Sequence, residues 1–196
     1  MDTFPLLILS VPQPAMAGFA SLLQHGLLLP VDRPVALLPF LLALPGFNAE
    51  YIENTVQTIF INGVAVDSLD RSLPAGSTLA LSAAMPGLAG AIFRRQGLHG
   101  SLRSQPVEKV TPQQADSGFV TLKLFNSIAT DRVCDLLTQG ICLSGKAFHD
   151  FAAKREHLFL PPETVDFVGQ HLGYAELLHA VADCSILSVQ ARRIPD

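Results

Sequence analysis

The chain reads as an α+β protein: a mixed sheet with a packed helix in the N-terminal half, then a second, small α/β half. Three observations carry that expectation. Asn62-Gly63 lies between Thr58-Ile59-Phe60-Ile61 and Val64-Ala65-Val66. Asn-Gly tolerates positive φ at both central turn positions, so this pattern marks a β-hairpin. Leu37, Leu38, Leu41 and Leu42 form an apolar stripe at helical spacing just upstream. Val120-Thr121-Leu122-Lys123-Leu124 alternates apolar and polar, as a half-buried strand does.

The elements follow in order. Phe19–Leu29 suggests two short strands around Gly26. Asp32 and Pro34 then prepare a helix start near Ala36, by N-cap chemistry and a preset φ. Pro39 has no N–H and fits in the first turn, and Gly46 is a natural stop. Asn48 can cap a short second helix, with Glu50 and Glu53 favoured near its positive end. After the hairpin, Pro74-Ala75-Gly76 turns the chain into a strand over Ser77–Leu81.

In the second half, Asn126 or Ser127 can cap a helix whose Ala129, Val133, Leu136 and Leu137 share a face, with Gly140 as its stop. Ile141-Cys142-Leu143 reads as a strand and Ser144-Gly145-Lys146 as a turn. Pro161-Pro162-Glu163 opens a helix through about Leu172, Tyr174–Ala182 is helical, and Cys184–Ala191 is a closing strand. The glycine- and proline-bearing stretch between the halves places the organisation at 1–92, a connecting segment 93–118, and 119–196.

The stretch from Val56 to Gly90 resembles the second half of a ubiquitin-like β-grasp domain of the sulfur-carrier type, and the resemblance covers about residues 17–90. The matching residues are Ile61-Asn62-Gly63, then Leu73-Pro74-Ala75-Gly76-Ser77-Thr78-Leu79-Ala80-Leu81. The resemblance implies a β-grasp-like mixed sheet. It also implies carrier chemistry on a free C-terminal Gly-Gly. Here Gly87 and Gly90 are separated by Leu88-Ala89 and about a hundred residues follow, so that chemistry would require cleavage of the chain.

Composition limits the partners. Hydrophobic residues make up 49% and charged residues 15% of the 196, enough to fill a large core and still leave apolar surface for a subunit contact. The net charge of −4 offers no basic excess for nucleic acid, and no block of like charge suggests a tail. The apolar N-terminal run carries Asp2 rather than a positive region, although Ala15-Met16-Ala17 resembles a cleavage site. The run Val35–Leu44 is too short to cross a bilayer. The expectation is a cytoplasmic protein with no membrane and no nucleic-acid partner.

Candidate chemistry is sparse. Gly87 and Gly90 precede Arg94, Arg95, His99 and Arg103. A helix starting near Ala89 would add free N–H groups to those guanidiniums and make a small-anion site; a solvated basic face is the competing reading. His149 with Asp150, His157, His171 and His179 lack metal-ligand spacing, so no metal and no cofactor is expected. Cys134, Cys142 and Cys184 sit among apolar residues and read as small buried hydrophobes rather than nucleophiles. Three functions remain open at this point. The first is a non-catalytic binding or assembly module, acting as a homo-oligomer or with a protein partner. The second is a phosphate-like anion-binding protein or enzyme. The third is a sulfur-carrier relative.

Overall fold

The computed structural model describes residues 4–83, 87–95, 97, 118–160 and 164–194. In chain order the elements are β1 (Leu6–Pro12), a 3-10 segment (Gln13–Gln24), β2 (Leu27–Val31), β3 (Val35–Ala36), α1 (Leu37–Leu42), α2 (Ala49–Asn54), β4 (Thr58–Ile61), β5 (Val64–Ala65), β6 (Ser72–Leu73), β7 (Thr78–Ser82) and α3 (Gly87–Phe93). Then come β8 (Gly118–Phe125), α4 (Ser127–Gln139), β9 (Ile141–Leu143), α5 (Gly145–Ala152), a 3-10 turn (Glu156–Phe159), β10 (Val165–Phe167), β11 (Gln170–His171), α6 (Tyr174–Ala182) and β12 (Leu187–Ile194). The protein is α+β with mixed sheets, in keeping with the sequence.

The division at 93–118 is replaced by an interleaved one. One compact unit joins Met1–Leu28 to Thr130–Asp196, and the other is Leu29–Ala129. The physical reason is strand pairing. β1 pairs in parallel with β12 from the far end of the chain, Leu6 opposite Ser188 through Pro12 opposite Ile194. β8 pairs in parallel with β7, Thr78 opposite Thr121 through Ser82 opposite Phe125. Parallel pairs need long connections, and local periodicity carries no record of them.

In the Leu29–Ala129 unit the sheet order is β2-β8-β7-β4-β5. Asn62 and Gly63 take φ of 52° and 81°, as the hairpin turn requires. The Asn62 side-chain oxygen accepts from the Thr78 N–H at 2.8 Å while the Asn62 backbone N–H donates to the Thr78 carbonyl, which fixes the hairpin against β7. Ile59, Leu79, Leu81, Leu122 and Leu124 are buried on one face of the sheet, and Leu37 and Leu41 of α1 are buried as well. Leu42, expected in the buried stripe, is 45% exposed, and Phe40 is buried instead. The first N–H groups of α1 donate to the carbonyls of Arg71 and Leu69, so Asp32 is not its cap. Asn48 does cap α2, accepting from the Tyr51 N–H at 2.8 Å.

In the other unit the order is β11-β10-β1-β12-β9. Of the two strands expected over Phe19–Leu29, the one after Gly26 forms, as β2. The part before it is 3-10 and delivers Phe19 to an aromatic cluster, with ring centroids 5.8 Å from Phe151 and 5.9 Å from Phe159. The helix expected through Leu172 is a hairpin over its described part, Phe167 opposite Gln170, closed by Val168-Gly169 with φ of 52° and 81°. Val165 and Phe167 alternate with Asp166, and a period of two outweighs the proline-led helix start. Ser144 caps α5, accepting from the Ala147 N–H at 3.1 Å. A Cβ on Gly145 would overlap the carbonyl oxygens of Val181 and Cys184, so α5 enters against the end of α6 only with glycine there.

Candidate functional site

Among the described residues, the predicted anion residues Arg94 and Arg95 point in different directions. Gly87 begins α3 with φ 68°, and Gly90 lies inside the helix and accepts from the Arg94 N–H at 3.1 Å. Arg94 is exposed. Arg95 turns inward: its side chain is only 7% exposed, and Nη1 donates to the carbonyls of Ile52 at 3.2 Å and Val56 at 3.0 Å. Its backbone N–H donates to the Gln57 carbonyl, and Glu53 lies 3.5 Å from Nη2. The guanidinium thus satisfies carbonyls at the end of α2, which carry the negative end of a helix dipole. His99 and Arg103 lie outside the described residues.

The same end of this sheet is polar. Thr58 and Ser82 are buried opposite one another, and the Asn126 side chain donates to the Ser82 hydroxyl at 2.8 Å. Asn126 holds φ 55° between β8 and α4. The Asn126–Ser82 bond ties the ends of β7 and β8 together.

The cysteines are half-buried rather than fully buried. Burial pushes the Cys142 thiol up, opposed by a hydrogen bond with Ser188, its cross-strand neighbour. Burial also raises Cys184, helped by the Asp183 charge, and its thiol donates to the Ala180 carbonyl. A raised thiol is a poor nucleophile at neutral pH. Cys134 accepts from Arg193 at 3.0 Å. Among the described residues no group of three His, Cys, Asp or Glu side chains could hold a metal ion. The Asp150 carboxyl is held below its ordinary range by the Lys146 hydrogen bond at 2.7 Å, an exposed pair on one turn of α5.

What the sequence reading missed is a sheet face. On β1 the side chains of Leu7, Leu9 and Val11 are buried, and those of Leu6, Ile8 and Ser10 point the other way. The register places Ser188, Gln190, Arg192 and Ile194 of β12, Asp166 of β10 and Cys142 of β9 on that second face. None of these is fully buried. The exposed large apolar side chains among the described residues are Leu6, Leu42, Leu160, Val168 and Ile194. Leu6 and Ile194 stand on this face, and Val168 at the β10–β11 turn donates its N–H to the Leu6 carbonyl at 2.9 Å. Val168 is 61% exposed and left-handed, an outlying conformation for a β-branched residue. The clue in the sequence was the alternation Leu187-Ser188-Val189-Gln190-Ala191-Arg192. No helix among the described residues is long and apolar enough to cross a membrane.

Comparison with known proteins finds no matching family model, no matching curated protein and no matching solved structure.

Proposed function

We propose that the protein is a non-catalytic binding or assembly module, and that its working surface is the open face of the sheet β11-β10-β1-β12-β9. The observation that carries the reading is that three of the five exposed large apolar side chains among the described residues belong to this one sheet, Leu6 and Ile194 at the two ends of the face and Val168 in its turn. Isolated exposed apolar residues are ordinary, whereas several on one sheet point to an interaction surface. The strained Val168 adds weight. Left-handed backbone costs an L-residue about 1–2 kcal/mol, and such strain is concentrated where a side chain has a use.

Two observations favour this reading over the anion-binding one. Arg95 is committed to carbonyl oxygens, and the raised thiols of Cys142 and Cys184 are poorly suited to attack. The β-grasp-like reading of about residues 17–90 is supported by the mixed sheet, the Asn62-Gly63 hairpin and the helices between β2 and β4. One departure is that β8, from after the region of resemblance, pairs with β7.

The test is the mass of the native particle, both for the purified chain and for the complex recovered from its source cells. A module forms a particle heavier than 21.0 kDa in at least one of the two. A 21.0 kDa particle in both contradicts the reading.

A further inference from the structure

Resting on that reading, we infer that the occupant of the open face is a second copy of this chain, docked face to face about a two-fold axis along β1, with Asp166 of each copy pairing Arg192 of the other.

The face has the arrangement such a contact needs. β1 is the central strand, with β10 on one side and β12 on the other. Ile8 stands in the middle, opposite Asp166 on β10 and Gln190 on β12. Arg192 lies one pleat along β12, opposite Ser10. Acid and base therefore flank the same strand on opposite sides. A two-fold rotation about β1 exchanges the sides, which sets each Asp166 over the other copy's Arg192. A two-fold contact requires such a self-complementary patch. The offset of one pleat is about 7 Å, within reach of an arginine side chain.

Both charges have capacity to spare. Arg192 is exposed, and its side chain makes no hydrogen bond or ion pair with the described residues. Asp166 uses Oδ1 to accept from the Gly169 N–H at 2.9 Å, which leaves Oδ2 for a partner. Between and beyond them the face offers Leu6, Ile8 and Ile194 with small Ser10 and Ser188, a surface that a second sheet can approach closely. Backbone pairing at the sheet edges is a weaker alternative, because β9 has three residues and β11 only two.

The size of the face sets the strength. Five strands about 4.8 Å apart and seven residues at about 3.3 Å each give at most about 550 Å² per copy. That is the low end for a specific pairing. The dimer is therefore expected to dissociate in the micromolar range, with charge complementarity supplying selectivity.

The experiment is sedimentation of the purified full chain from low micromolar to several hundred micromolar concentration. The parent protein should pass from monomer to dimer. Asp166→Arg and Arg192→Asp should each weaken association at least tenfold. Mixing the two single variants should restore it, since the first then offers two bases to the two acids of the second. Restoration on mixing also shows that both variants are folded. A parent that stays monomeric throughout overturns the inference but leaves the module reading standing if the cellular complex contains another protein. Dimerisation that ignores both charge reversals, or variants that fail to associate on mixing, overturns it as well.

Discussion

Arg95 and Val56 are joined by a hydrogen bond of 3.0 Å from the guanidinium to the backbone carbonyl, just past the end of α2. With the second bond to Ile52, this makes Arg95, two residues past α3, a clamp on the helix before β4. Hydrogen bonds to charged groups are worth about 1.5–3 kcal/mol. The Glu53 contact adds little because its carboxylate is exposed. Arg95→Ala is therefore expected to destabilise by about 2–3 kcal/mol, and Arg94→Ala to stay within about 0.5 kcal/mol. Denaturant midpoints check both. An Arg95→Ala protein of parental stability that has lost phosphate affinity would return the site to the anion reading.

Gly145→Ala is expected to cost about 3 kcal/mol or more, beyond the usual range for overpacking because the obstacles are backbone oxygens. The loss should appear as a lower thermal midpoint. Gly63→Ala separates this from a general glycine effect: its Cβ would meet nothing within 4 Å, so only the positive φ of 81° resists it.

At Val168 stability and association are expected to move in opposite directions. Val168→Asn keeps a residue that tolerates the left-handed region and removes an exposed apolar side chain. Stability should rise by up to about 1 kcal/mol, while dimerisation weakens. Thermal melts and sedimentation on the same sample read both. A variant that is no more stable and associates as before would show the valine to be incidental.

The thiols give a pH signature. Burial raises the folded-state pKa of Cys142 and Cys184 above the unfolded value. Their contribution to stability is then complete below the unfolded thiol's pKa and is lost as pH rises through the folded one. At neutral pH, iodoacetamide should label Cys142 and Cys184 more slowly than a free thiol, with the rate climbing only above the ordinary thiol range. Peptide mass analysis across alkaline pH measures it.

Local chemistry in the sequence was legible wherever one residue dictates a conformation. Asn62-Gly63 specified its turn, Asn48 its cap, and the alternation at Val120–Leu124 its strand. Long-range pairing was not legible. Leu6–Pro12 is a nearly continuous apolar run, so its inward and outward faces look alike until β12 is laid beside it. Asp166 was hidden in a segment whose prolines signal a helix. For the candidate site, the spacing of Arg94 and Arg95 said nothing about direction, and adjacent residues on one turn point apart. Arg94 is exposed while the Arg95 guanidinium points inward to the α2 carbonyls.

The most direct test of the central claim, that the open face of this sheet docks a second copy of the chain, is side-chain footprinting by hydroxyl radicals at increasing protein concentration. Leu42 belongs to the other unit and Leu160 to none of this sheet's strands, and both are exposed, so they act as internal controls. The account predicts that labelling of Leu6, Val168 and Ile194 falls as concentration rises while Leu42 and Leu160 stay constant. Unchanged labelling at all five positions, or protection confined to Leu42 or Leu160, would contradict it.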